Sequence, residues 1–138
     1  MELIQCSVEQ LPLIMQLCQQ LFEDEKSDIL YTEEEMEHRI KSALESDTNA
    51  YLFYQEGELA GYALVKTKAK PMYLWHFFIC RNMRRKHIGT EAFWLLMKEL
   101  DTDTIDLDVY CWNDRGQGFW KSLGFKERCI IMRRMVDK

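Results

Sequence analysis

The sequence predicts an α/β domain, a mixed central sheet flanked by about four helices in the order β α α β β β α β α β. Three observations carry this. Apolar residues recur at helical spacing from Val8 to Phe22 and again from Ile88 to Leu100. Between them, Tyr51 to Cys80 is rich in aromatic and β-branched residues broken by turn signals, the mark of strands. Finally, 138 residues that are 47% hydrophobic and 12% aromatic can fill one core without disulfides or metal, so residues 1–138 are read as a single domain.

Leu3 to Cys6 reads as a short strand. Ser7, with Gln10 three residues on, is a capping-box signal for a helix whose apolar stripe is Val8, Leu11, Met15, Cys18 and Phe22. Pro12 offers a second place for that helix to begin. Thr32 with Glu35 signals another helix, carrying Met36, Ile40 and Leu44 up to the polar stop Ser46 to Asn49. Tyr51–Tyr54 and Leu59–Val65 are then two antiparallel strands joined by the tight turn Gln55-Glu56-Gly57-Glu58. Met72 to Cys80 is apolar on both alternating faces, which predicts a strand covered on both sides in the middle of the sheet. Ile88 to Leu100 is helical through Ala92, Leu95, Leu96 and Met97, and Thr104 to Cys111 alternates Ile105, Leu107 and Val109 against Asp106, Asp108 and Tyr110. Strand, helix and strand make a crossover unit. Asn113 to Leu123 reads as a helix closed by Gly124, and Phe125 to Val136 as a last strand with charged ends.

Composition excludes several classes of function. A net charge of -5 argues against a nucleic-acid partner, which calls for a strongly basic face. No apolar stretch approaches the ~20 residues of a membrane span, and Met1 to Gln5 has no signal-peptide character, so a cytoplasmic protein away from membranes is expected. Five cysteines, an odd number without a C-x-x-C pair, suggest reduced thiols and no metal site.

The chemistry concentrates in two segments. Arg84-Arg85-Lys86-His87-Ile88-Gly89-Thr90 joins the third central strand to a helix start, where unpaired backbone N–H groups and the positive dipole end can cradle a phosphate. Gly89 allows close backbone approach, and Arg81 adds a further cation. The loop equally reads as a solvated basic turn, and it lacks the G-x-x-x-x-G-K-[ST] and G-x-G-x-x-G fingerprints. Asn113 to Phe125 follows the next strand and opens with a good N-cap residue. Consecutive parallel strands bring both segments to one sheet edge, where open α/β sheets bind ligands.

Arg84-x-x-His87-x-Gly89 resembles the [Q/R]-x-x-G-x-[G/A] acyl-CoA loop of the GNAT N-acetyltransferase superfamily, and Asn113…Phe119-Trp120-x-x-x-Gly124-Phe125 resembles its later N…F-Y-x-x-x-G-F segment. The element order is similar from end to end. The resemblance implies the GNAT acyl-CoA N-acyltransferase fold and transfer of an acetyl group from acetyl-CoA to a primary amine, of a small molecule or a peptide, by direct attack in a ternary complex. It implies that the backbone of Phe78, Ile79 and Cys80 pairs with the pantetheine arm. Loop amides from Arg84 through Arg85, Lys86, His87, Ile88 and Gly89 to Thr90 would hold the pyrophosphate, and Asn113 would meet the pantetheine. A homodimer is compatible with the family.

Two positions depart from the pattern. His87 stands where the family has its first loop glycine; at positive φ, His is among the better tolerated residues. Trp120 replaces the tyrosine often proposed as the acid for the departing thiolate, and an indole N–H is no acid near neutral pH, so Trp120 is read as packing against the cofactor. A thiol of pKa about 8.5 can leave as thiolate without that acid. An ammonium must lose a proton before it attacks; His76 and Asp108 are the candidate side chains for that step, His76 reading also as a satisfied core histidine, and Tyr110 is a candidate acid in place of Trp120. The acidic run Glu23, Asp24, Glu25, Asp28, Glu33, Glu34, Glu35 and Glu37 suits either the mouth of a cationic-amine site or a solvated face. The competing function is a non-catalytic module binding CoA or another phosphorylated ligand.

Overall fold

A computed structural model describes residues 1–84 and 87–136. Its elements are β1 (Glu2–Cys6), α1 (Leu11–Glu25), α2 (Glu33–Leu44), β2 (Thr48–Gln55), β3 (Glu58–Lys66), β4 (Met72–Ile79), α3 (Ile88–Leu100), β5 (Ile105–Asp106) and α4 (Asp114–Ser122). The sheet has the spatial order β1-β2-β3-β4-β5; its first three pairings are antiparallel and β4–β5 is parallel.

Local chemistry explains most boundaries. Ser7 caps only a short 3-10 turn, Val8–Gln10, and α1 starts afresh at Leu11 with Pro12 in its first turn, where a missing N–H costs nothing. Thr32 and Glu35 form the predicted capping box: Glu35 N donates to Thr32 Oγ1 at 3.1 Å and Thr32 N donates to Glu35 Oε1 at 3.0 Å. Between β2 and β3, Glu56 and Gly57 take φ of 52° and 81°, the paired positive values of a tight hairpin turn.

Helices cover both faces of the sheet. Ile14, Cys18 and Ile40 of α1 and α2 bury against Leu52, Tyr62, Leu64 and Phe78. On the other face, Ala92, Phe93 and Leu96 of α3 bury against Phe53, Val65, Leu74 and Ile79, joined by the half-buried Trp120, Leu123 and Phe125. Each fully buried large side chain contributes about 1.5–3 kcal/mol. A bulge in β4 sets which residues face which layer: Leu64 pairs with His76 but Val65 with Leu74, leaving Trp75 without an opposite number. Consequently His76 and Phe78 face α1, while Leu74 and Phe77 face α3.

Three expectations are corrected. β4 lies fourth in the sheet, with β3 at its centre. The strand predicted over Thr104 to Cys111 is limited to Ile105–Asp106, and Leu107 to Tyr110 leave the sheet. Phe125 to Val136 forms no strand; Ile130, Ile131, Met132, Met135 and Val136 are exposed, and Arg133 pairs with Asp28 at 2.8 Å. A strand needs a partner edge, and a two-residue β5 offers almost none.

At Gly61 β3 leaves no room for a side chain, because any Cβ there would collide with the Phe78 carbonyl oxygen. Gly61→Ala is therefore expected to destabilise the fold by about 1–3 kcal/mol, the usual cost of overpacking, as read from urea denaturation midpoints.

Candidate functional site

The site begins where β4 and β5 separate. Their pairing runs only through Met72–Ile105 and Tyr73–Asp106, so from Leu74 to Ile79 the outer edge of β4 has no strand partner among the described residues. Alternate backbone groups along such an edge are open to an extended ligand that carries amides. Phe78 and Ile79 lie on this stretch, and Cys80 closes it by donating its N–H to the Ala60 carbonyl at 2.8 Å.

A turn at Arg81–Met83 then leads toward α3. His87 occupies the N-cap of α3 with φ 58° and ψ 19°, the left-handed region, and gives no side-chain cap. The first helical bond comes from Glu91 N to the His87 carbonyl at 3.0 Å. The amides of Ile88, Gly89 and Thr90 thus form the uncapped first turn, the geometry that receives anions. Gly89 has a packing role as well: a Cβ there would lie 3.2 Å from the Phe119 ring, so its bareness lets α4 dock. Arg85 and Lys86, assigned to the same loop from sequence, lie outside the described residues.

The other cations of this loop are held by α1. Arg81 contacts Glu23 at 3.1 Å and Asp24 at 2.8 Å; Arg84 contacts Asp24 at 2.6 Å. Burial alone would raise the Asp24 carboxyl, but hydrogen bonds from Arg81 and Arg84 outweigh it and hold it below the ordinary carboxylate value. Arg84 also donates from Nε to the Ile79 carbonyl at 2.9 Å, so its side chain braces the end of β4. Burial raises the Cys80 thiol against the pull of Arg84, leaving it a poor nucleophile.

On the α1 side of the opening, β4 and the chain after β5 present Tyr73, Asp108 and Tyr110. Burial, reinforced by the adjacent Asp108 carboxylate, raises the Tyr73 phenol far above its ordinary value. Tyr110 Oη and Ser27 Oγ share a hydrogen bond of 2.9 Å, and Tyr110 stacks on Trp112 with ring centroids 4.5 Å apart. Trp112 Nε1 donates to the Glu25 carbonyl at 3.0 Å, which ties the end of α1 across the gap. The Glu25 side chain is half-buried, and burial, with a contribution from Asp24, pushes its carboxyl up to about 7.

His76 is 4% exposed and sits in the core beneath this opening. Its Nδ1 shares a 2.8 Å hydrogen bond with Tyr62 Oη, and the Phe22, Tyr62 and Trp75 rings enclose it. Burial and then Lys66 lower its pKa to about 3, so it is neutral near pH 7 and a weak base. Such surroundings match the core-histidine reading of this residue. Asn113 serves its own helix, Oδ1 accepting from Gly116 N at 3.0 Å. Trp120 packs with Phe77, Phe93 and Phe125 at centroid distances of 5.3, 5.8 and 5.3 Å, fixing α4 against β4 and α3.

The structure thus gathers Ile79, Cys80, Arg84 and His87 to Thr90 at one end of the open edge, and Asp108 with Tyr110 along it. Tyr73 was not singled out from sequence, and Glu25 only as one member of the acidic run. A signal for Glu25 exists: it follows Leu21 by four residues and Phe22 by three, so a carboxylate stands in phase with the apolar stripe of α1. Tyr73 carried no comparable signal. Among the described residues, no group of three His, Cys, Asp or Glu side chains is placed to hold a metal ion, and no helix is long and apolar enough to cross a membrane.

Residues 13–125 match the model of the Acetyltransferase (GNAT) family. No curated protein sequence matches the chain. Among solved structures, a mutant of the BH1408 protein from Bacillus halodurans is similar at TM-score 0.76 and 23% identity, over 99% of each chain. A predicted acetyltransferase from Clostridium acetobutylicum, solved with acetyl-CoA, gives TM-score 0.73 and 13% identity over 97% of this chain and 95% of that one. AAC(6')-Iy in complex with the bisubstrate analogue CoA-S-monomethyl-acetylneamine gives 0.67 and 16% over 98% of each. At these identities the likeness is one of fold.

The depressed pKa of His76 has a consequence for acid stability. Its unfolded imidazole takes a proton near pH 6.5 while the folded one resists until about 3, so stability present above 6.5 is lost as pH falls through that window. Denaturant titrations at steps from pH 7 to 4 should show His76→Gln losing less stability over this range than the parent protein.

Proposed function

The chain belongs to the acetyltransferase (GNAT) family, and on that premise we propose that it transfers an acetyl group from acetyl-CoA to a primary amine by direct attack in a ternary complex. The observation that carries the proposal is the uncapped first turn of α3 standing at the end of the unpaired β4 edge. The two features suit one ligand: an amide-bearing arm along Phe78 and Ile79 as far as Cys80, whose own backbone groups are held by Ala60 and Met83, and a diphosphate on the amides of Ile88, Gly89 and Thr90. Each charge at such a helix start is worth about 0.3–1 kcal/mol. When bound, acetyl-CoA supplies the activated acetyl thioester.

The protein's own part is positioning. Oriented reactants can reach effective molarities of roughly 10⁵ M or more, and the braced ends of β4 and α1 supply a rigid frame for that. Trp120 offers no acidic proton, so departure as thiolate suffices. A small-molecule amine is favoured by AAC(6')-Iy, bound to a neamine-derived bisubstrate analogue, and by the aminoglycoside acetyltransferase meta-AAC0020, in complex with sisomicin. A groove of about 460 Å³ between α1 and the start of α2 supports the same choice, with Met15, Phe22 and Met36 along it and the Glu33 carboxylate at its edge. The five free thiols suit a cytoplasmic setting.

Calorimetric titration with acetyl-CoA, dephospho-CoA and ATP tests the cofactor assignment. Micromolar binding selective for the CoA species is expected, and absence of acetyl-CoA binding would overturn the proposal. His87→Val places a β-branched residue in the left-handed region at a cost of about 1–2 kcal/mol and should weaken acetyl-CoA binding at least tenfold. Binding without acetylation of any amine tried would instead identify a non-catalytic CoA-binding module.

A further inference from the structure

Resting on the acetyltransferase reading, we propose that Glu25, the last residue of α1, is the proton acceptor for the incoming amine, with Tyr73 and Asp108 as the wall that positions it. Asp24 and Glu23 turn outward to Arg81 and Arg84, whereas Glu25 lies near Tyr62 and Tyr73 of the sheet. Among the described residues its carboxylate has neither an ion-pair nor a hydrogen-bond partner, although it is half-buried. Half-burying a carboxylate without a partner is costly, and such groups in a cleft are candidates for a functional role.

Its location follows from contacts on either side. The Trp112–Glu25 and Tyr110–Ser27 hydrogen bonds pull the end of α1 over the β4–β5 opening. Glu25 is close enough to Tyr62 of β3 and Tyr73 of β4 to raise both phenols, and Tyr73 in turn meets Asp108 beyond β5. The titratable groups around it are therefore Asp24 on its own helix, Tyr62 with its partner His76, Tyr73, and Asp108. Of these, His76 is a weak base enclosed by rings and Asp108 is engaged with Tyr73, which leaves Glu25 as the free carboxylate at the gap.

The step balances simply. Glu25 takes one proton from R–NH3⁺; the freed lone pair forms the C–N bond to the acetyl carbon as the C–S bond breaks. The sulfur leaves with its electron pair, and the second amine proton passes to it or to water. Glu25 then returns its proton to solvent.

The test compares the parent protein with Glu25→Gln and Glu25→Asp, using spermidine, neamine and an N-terminal alanine peptide as amines and mass detection of product. For the parent, kcat should rise with pH through about 7 and then level, because the carboxylate form is the active one. Glu25→Gln should bind acetyl-CoA within twofold of the parent yet lose about 10²–10⁴ in kcat, its rise moving up toward the amine's own pKa. Glu25→Asp should recover part of the loss.

Folding is controlled for. A carboxyl raised from 4.5 to about 7 loses stability as pH climbs between those values and carries the full cost above 7, so Glu25→Gln should be at least as stable as the parent at pH 8. A Glu25→Gln variant that keeps both kcat and the rise near pH 7 would overturn the role of Glu25 while leaving the acetyltransferase reading intact. A parent protein that acetylates none of the amines would overturn both.

Discussion

Two backbone pairings hold β5 to β4, Met72 with Ile105 and Tyr73 with Asp106, and the rest of the molecule is arranged around their ending there. Parallel strands share an edge only while their hydrogen bonds continue, and here Leu107 to Tyr110 diverge. Among the described residues, the divergence leaves the outer edge of β4 beyond Tyr73 without a strand partner. Buried backbone groups demand partners, so an opening of this kind persists only where something braces it. Arg84 on the Ile79 carbonyl, Phe119 against Gly89, and Trp120 among Phe77, Phe93 and Phe125 provide that bracing.

Electrostatics divide the end of α1 into two parts. The outward pair, Glu23 and Asp24, neutralises Arg81 and Arg84 and fastens the helix to the loop after β4. Exposed pairs of this kind contribute little individually, yet three contacts on one short segment fix the relative position of helix and loop. The inward residue, Glu25, is half-buried and pairs with neither of those cations, so its proton affinity rises instead of falling. Adjacent carboxylates thus end with opposite shifts, decided by whether each meets a guanidinium or the interior.

Much of this was legible in the chain. The α2 capping box, the Glu56–Gly57 turn and the span of α3 follow from local rules and stand as read. The basic loop could be placed at a helix start because its neighbours declare the strand and helix on either side. The aromatic stripe of α4 declared its packing face, although which partners it meets depended on α3 and β4 being brought together. His76 could not be resolved from sequence alone, since an alternating strand tells its face but not what covers that face. The bulge at Trp75, which sends His76 toward α1, has no signature in the sequence itself.

The amino-acid sequence by itself determined most element types, the α/β class, the position of the basic loop at a helix start and the family resemblance, because these depend on residues close along the chain. Only the tertiary structure decided that β5 stops at Asp106, that Phe125 to Val136 pairs with nothing in the sheet, and that Glu25 faces inward over the opening. The physical reason is range. Caps, turns and periodicity act over a few residues, whereas strand pairing and the solvation of a carboxylate are set by groups distant in sequence, as Trp112 and Tyr73 are from Glu25.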